Sequence, residues 1–193
     1  TNRWSHWSNP IEFEATEPDT LEDLKSRLVL TELMYHAREG ANFDFIELYN
    51  NSDRVLELDG VAISGGIQFI VPPKTQLKPK QFALVIGNND PKKFQAHYKL
   101  SDNTLILGSY NGKLSNNGEK IVVQSATDGT TLISIKYSDD EGWPQDADGD
   151  GRSLIPTVTD PDKQALGDLD QPKNWILSRT EGGSPGFREK SSI

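Results

Sequence analysis

The sequence contains no cysteine, a single methionine and only three histidines in 193 residues. Without thiols there are no disulfides, thiolate zinc centres, iron–sulfur ligands or cysteine nucleophile, and the redox compartment stays open. His6, His36 and His97 lie far apart with no HxH or HExxH pattern, so no histidine zinc site is expected; His36, directly after Met34 and Tyr35, reads as a loop residue at a strand end. Long apolar runs are also missing: the longest uninterrupted one is Phe82 to Ile86, far short of the roughly 20 residues that cross a bilayer. No serine stands in a GxSxG elbow, and the glycine-rich pieces SGG and EGGSPG lack the lysine and strand-to-helix setting of a phosphate loop, so they read as turns. Positive charge is scarce, with 20 Lys+Arg against 29 Asp+Glu and a net charge of −9, which argues against a phosphate-binding surface. Lys74, Lys78, Lys80, Lys92, Lys93 and Lys99 make the middle of the chain locally basic, but no aromatics interleave them; a solvated face is expected, with no nucleic-acid partner.

What is present is a chain long enough for one substantial core. It opens at Thr1 with no methionine, basic n-region or apolar h-region, as expected of a piece of something longer. Ile11, Phe13 and Ala15 alternate as in a strand, and the WSxWS arrangement at Trp4 to Ser8 resembles the end of a fibronectin type III domain. Two readings of residues 1–16 stay open: the last strand of an upstream module, in which Trp4 and Trp7 pack on basic side chains such as Arg3, or an ordered arm docked on the main domain. Residues 17–27, with Pro18 at the entrance and Leu21, Leu24 and Leu28 at helical spacing, predict a short linker helix.

From Leu28 the pattern changes to eight short apolar runs broken by turn residues: 28–35, 43–50, 55–64, 67–71, 81–87, 104–107, 120–125 and 131–137. That spacing predicts an all-β sandwich or barrel. Asp128-Gly129 between two alternating runs is the strongest hairpin signal, and Asn111-Gly112, Asn117-Gly118, Asp59-Gly60 and Ser64-Gly65-Gly66 supply further turns. The exception is NDPKKFQAHY, where Asp90 can cap, Pro91 can open a helix, and Phe94 and Tyr98 stand one turn apart; one or two helical turns are expected there.

The densest chemistry lies in SDDEGWPQDADGDG, Ser138 to Gly151. Asp146, Asp148 and Asp150 stand at alternate positions with Gly149 and Gly151 giving the backbone freedom to curl, the first half of a calcium loop, whose cation needs six to eight oxygens. The second half is imperfect, since the position of the closing bidentate glutamate falls on Thr157; Asp140, with Asp139 or Glu141, must fold back as a ligand. The alternative is a solvated acidic loop that simply turns. Glu32 and Glu47 sit mid-strand and offer an acid–base pair, but no cleft is evident to serve them, and the expectation is that they face solvent or tie neighbouring loops. Trp143 and Trp175 are read as core residues ahead of a sugar-stacking platform.

Several phrases together resemble the lamin tail domain family in its bacterial form: Leu28 to Asn50, Leu56 to Ser64, Ile67 to Ile86, DPKKFQAHY, Leu114 to Val123, DGRSLI at Asp150 to Ile155, and NWILSRTEGGSPG at Asn174 to Gly186. The resemblance spans about residues 28–188, leaving 189–193 as a tail. It implies an immunoglobulin-like β-sandwich, in agreement with the strand count. It also implies a non-catalytic module of a larger secreted or cell-surface bacterial protein, attaching to protein or polysaccharide beside other domains of the same polypeptide, with no direct membrane insertion. No coiled-coil heptads precede the domain, so a filament context is unsupported. The competing reading is part of a metal-dependent hydrolase or nuclease with the Asp139–Asp150 cluster as its metal site.

Overall fold

The computed structural model describes residues 20–140, 142–164 and 167–189. The expected N-terminal strand with Trp4 and Trp7, like Glu141, lies outside them. The elements in chain order are α1 (Thr20–Arg27), β1 (Leu28–Met34), β2 (Phe45–Asn50), β3 (Leu56–Glu57), β4 (Val61–Ser64), β5 (Ile67–Ile70), β6 (Gln76–Leu77), β7 (Phe82–Ile86), α2 (Pro91–Tyr98), β8 (Leu105–Ser109), β9 (Asn111–Gly112), β10 (Glu119–Ser125), β11 (Thr131–Tyr137), β12 (Leu154–Pro156) and β13 (Trp175–Leu177). One sheet has six strands in the order β13-β12-β1-β2-β7-β8, and a second has five in the order β11-β10-β4-β5-β9; β3 and β6 form a small ribbon. The two sheets stack as the expected immunoglobulin-like sandwich. Leu30, Ile46, Leu48 and Val85 of the first sheet and Ile63, Phe69, Ile121 and Ile135 of the second share one buried core.

The two sheets differ in how many faces they bury. In the second, β4 and β5 alternate buried and exposed positions, the signature of a sheet with one wet face. In the first, every residue of β2 and six of the seven in β1 are buried, so the outer face is covered too. Helix α2 covers one end of it. Asp90 accepts hydrogen bonds from Lys92 N (3.1 Å) and Lys93 N (3.3 Å), Pro91 opens the first turn, and Phe94 packs with Phe45, Met34 and Ile86 in a second apolar cluster. This helix also permits a feature the sequence pattern did not announce: β7 and β8 are parallel, which requires a crossover rather than a hairpin.

The hairpin at Asp128-Gly129 joins β10 to β11 in antiparallel register, with Gly129 at φ 73° and Asp128 accepting from Thr130 N at 3.0 Å. The run read as one strand over 55–64 is broken by the Asp59-Gly60 turn into β3 and β4. Segment 17–27 is helical from Thr20, and α1 is packed rather than suspended as a linker: Leu24 is buried in the main core and Asp23 pairs with Arg54 at 2.5 Å.

Candidate functional site

The outer face of the six-stranded sheet carries a feature built by one irregularity in β1. Leu28 and Leu30 point into the sandwich, as do Leu33 and Tyr35, so the alternation slips by one residue between them. The slip is a β-bulge at Thr31: Leu30 pairs with Leu48, and the next pair is Glu32 with Glu47. Without it Glu32 would continue into the apolar interior; with it the carboxylate turns to the opposite face, beside Glu47. Both side chains are 1% exposed. No cation pairs with either among the described residues.

The chain supplies hydrogen-bond donors instead. Glu32 accepts from Ser153 Oγ and from Ser184 N at 2.9 and 3.2 Å, with Ser184 Oγ at 3.1 Å; Glu47 accepts from Thr31 Oγ1 at 2.7 Å and Gly186 N at 2.5 Å. Burial pushes the Glu32 carboxyl up to about 7, against the pull of the serine donors. Burial, then the neighbouring Glu32 charge, holds Glu47 well above the usual carboxylate range. Ser184 and Gly186 belong to the glycine-rich EGGSPG turn, which thus closes over the acid pair. Gly183 is at φ 77°, and a Cβ there would fall on Glu32 Oε1, so this position requires glycine. Arg188 fastens the far end, donating to Asp162 (2.5 Å), Asp160 (2.9 Å) and Tyr49 Oη (2.8 Å), with its guanidinium 5.7 Å from the Tyr49 ring centre.

The expectation that these glutamates tie neighbouring loops therefore holds, and solvent exposure does not. An acid–base pair needs room for a substrate between its carboxylates. The pocket touching them, lined by Thr31, Gln164, Ser184 and Phe187 among others, is about 20 Å³, space for a water.

Open space lies to either side of the same turn. A cleft of about 400 Å³ separates the end of α2 from residues 180–187, lined by Arg38, Glu39, His97, Tyr98, Glu181 and Phe187. A second, of about 260 Å³, lies between Gln81, Ser101, Asn103, Thr104 and Phe187. Phe187 borders both and is 53% exposed.

In the acidic loop the carboxylates have separate partners. Among the described residues no three His, Asp or Glu side chains are grouped as metal ligands, so Asp140, Asp146, Asp148 and Asp150 are not gathered around one point. Asp148 is drawn instead to His36, with Oδ1 2.6 Å from Nδ1, while Asn116 Nδ2 lies 2.9 Å from His36 Nε2. Nε2 accepting from the amide leaves Nδ1 as the donor to Asp148. Asp140 accepts from Ser138 Oγ at 2.8 Å, and Asp150 contributes its backbone carbonyl to Arg38 Nη2 at 2.5 Å. Trp143 and Trp175 are buried in the core with ring centres 6.3 Å apart, as expected. Of the lysines, Lys74, Lys80 and Lys99 occupy positive-φ turn positions, and Lys80 is engaged by Asp162 at 3.1 Å and Asp53 at 3.4 Å.

Sequence reasoning missed the burial of the glutamate pair and the exposure of Phe187. The first had a signal, the three-residue step from Leu30 to Leu33 in an otherwise alternating run. The second had none, since no local pattern marks which aromatic a turn leaves outside.

No curated protein matches the chain. A family model, the Lamin Tail Domain, matches residues 23–139, more than half the chain and a segment running from α1 to just past β11; β12, β13 and the turn over the glutamates follow it. With the stacked sheets, the capped α2 and the matched segment in agreement, the chain belongs to the lamin tail domain family.

Proposed function

We propose that this chain is a non-catalytic attachment module of a larger secreted or cell-surface bacterial protein, holding neighbouring domains of the same polypeptide to a protein or polysaccharide partner. The observation that carries the reading is the contrast on one face of the molecule. The glutamate pair with a catalytic look is closed under the chain's own turn in a pocket of about 20 Å³, whereas the larger volumes, about 400 and 260 Å³, flank an exposed aromatic, and the acids of the larger one, Glu39 and Glu181, are engaged by His97 and Arg38. Clefts of several hundred cubic ångströms with a few fixed polar groups are of the size that ligands occupy. The reading draws on neither calcium nor nucleic acid. The metal-dependent hydrolase alternative needs carboxylates converging on an open position, and no such grouping occurs among the described residues.

The test is co-sedimentation of the purified chain with insoluble cell-wall and extracellular-matrix polymers, run beside phosphodiesterase, esterase and glycosidase assays with magnesium, manganese, zinc or calcium added. Retention on at least one polymer with no turnover is expected. Metal-dependent turnover that survives Phe187→Ala would overturn the reading.

A further inference from the structure

Residues 182–189 form a strap whose hold on the domain is mainly polar. Only Gly183 and Pro185 among them are buried, so little apolar area fastens the strap. Its inward bonds end on the two carboxylates: Ser184 donates to Glu32 through N and Oγ, and Gly186 N donates to Glu47. Its outward bonds, from Arg188 to Asp160 and Asp162, lie where the guanidinium is 45% exposed, and such surface pairs contribute about 0 to 1 kcal/mol each. Gly182 and Gly183, at φ 85° and 77°, stand just before the three donors, and Gly186, at φ 84°, carries the last of them. A segment with few buried apolar contacts and glycine at both ends of its bonded stretch is of the kind that opens locally, ahead of global unfolding.

The strap is also the wall between the acid pair and open space. Phe187 lines the sealed pocket of about 20 Å³ and both outer clefts, and Ser184 lines the sealed pocket and the larger cleft. Lifting residues 184–187 joins the three volumes and brings water to the carboxylates. What keeps the wall in place is therefore what keeps Glu32 and Glu47 dry.

These two acids stand directly opposite each other on adjacent strands, where like charges repel, and each is 1% exposed. Nothing packed around them supplies a compensating charge. Ser153 and Thr31 are neutral, and burial keeps the Tyr98 phenol of α2 protonated. From the strap itself, Glu189 adds negative charge, while Arg188 is engaged by Asp160, Asp162 and Tyr49. Beyond the strap, His97 and Arg38 are engaged by Glu39 and Glu181, with Lys99 at the far side of the cleft. A protonated pair can stay sealed; an ionised pair needs water. We infer that residues 182–189 are a proton-operated lid, closed over Glu32 and Glu47 while the pair is protonated and opening as a unit when its protons leave to solvent. The strap's donors favour the ionised form, but burial outweighs them, holding Glu32 up at about 7 and Glu47 well above its ordinary range, so the lid works near neutral pH. Phe187 rides on the lid and is fixed on the acidic side of the transition and freed on the basic side. The inference stands whether or not the domain is an attachment module.

The experiment is residue-resolved amide hydrogen exchange of the whole chain at about pH 5 and about pH 8.5, each rate corrected for the intrinsic pH dependence of exchange. Protection of the Ser184 and Gly186 amides is expected to fall about tenfold or more between the two, while amides of β2 and β7 stay the better protected. Exchange of the two strap amides is expected to ignore about 1 M urea, because lid opening exposes little surface, whereas sheet amides that exchange through global unfolding respond to it. The double variant Glu32→Gln/Glu47→Gln is expected to hold strap protection constant within about twofold across the range, and Glu47→Gln alone to shrink the fall. Should the double variant fail to fold, the parent profile and the single variant decide. Equal protection at both pH values in the parent, a fall that follows the sheet amides and urea, or a full pH dependence kept in the glutamine variants, which would hand it to His97 beside the cleft, each overturns the inference.

Discussion

Two groups of acids in this protein invite comparison. The loop from Ser138 to Gly151 carries Asp139, Asp140, Asp146, Asp148 and Asp150 within a short stretch, and any sequence reading stops there. Glu32 and Glu47 are separated in the chain and inconspicuous, each a lone acid in an apolar strand. The structure reverses their weight. The loop's carboxylates that have partners meet His36 and Ser138 near the surface, where solvent keeps their interactions weak. The two glutamates face each other across adjacent strands with almost no solvent, where ionisation is costly and every donor counts. Density of charge in sequence measures what water can screen; desolvation in the fold decides which acids shape stability.

The comparison is tested hardest at Glu32. Removing its carboxylate by Glu32→Ala strands Ser153 Oγ and Ser184 N in a buried site, and each buried donor left unsatisfied costs about 1 to 3 kcal/mol. A loss of about 3 to 5 kcal/mol in urea unfolding is expected, with the turn over 182–189 becoming accessible to protease before the rest of the domain. A loss below about 1 kcal/mol would mean that the turn does not depend on the pair.

Next in size is the response to pH. Glu32 has its folded value raised to about 7 from an ordinary 4.5, and Glu47 is raised as well, so between those values the folded state holds more protons than the unfolded one. Unfolding free energy therefore falls as pH rises through that window: the Glu32 contribution is fully present below about pH 4.5 and gone above about pH 7, about 3 kcal/mol, and Glu47 adds a fall of the same sign. Asp44, whose carboxyl burial pushes up to about 6, adds a slope of the same sign, while Glu189 near Ser184 adds negative charge to the neighbourhood and Arg188 is committed to Asp160 and Asp162. Glu47→Gln separates the contributions. Its amide oxygen can keep the bond from Gly186 N and its nitrogen can donate to Thr31 Oγ1, so the fold survives while one ionisation disappears. The variant is expected to flatten the slope and to gain on the parent at pH 8. An unchanged slope would leave the effect to Glu32 and Asp44.

How legible all this was in the sequence follows from range. Alternation, Asn-Gly and Asp-Gly turns and the Asp90-Pro91 cap are local, and they placed both helices, the β10–β11 hairpin and the principal strands correctly. Two-residue strands such as β6 and β9 carry too little pattern to read, and β12 and β13 exist because their partners do, with Leu154 set against both Leu33 and Leu177. The parallel β7–β8 pair is likewise a decision made by α2 packing on the sheet. At the site, the identity of Glu32 and Glu47 was visible but their environment was not, because it depends on a bulge at Thr31 meeting a turn about 150 residues away in sequence. The calcium reading turns on the same difference of range: ligand spacing is local, whereas His36, which engages Asp148, comes from just past the end of β1.

That competition gives the smallest and sharpest prediction. Asp148→Asn keeps a side chain able to meet His36 Nδ1 through its carbonyl, and a half-exposed pair of this kind contributes about 0 to 1 kcal/mol. Asp146→Asn and Asp140→Asn, at sites that make no buried interaction, are expected to shift stability by less than about 0.5 kcal/mol. If the loop is held as the structure has it, thermal melts in millimolar calcium and in EDTA coincide for the parent and for all three variants. A calcium-dependent rise in Tm that Asp148→Asn abolishes would show that the loop leaves His36 and refolds around a cation. The two acid groups would then differ in whether a ligand rescues their repulsion, rather than in burial: calcium would neutralise the loop, as protons do the Glu32–Glu47 pair.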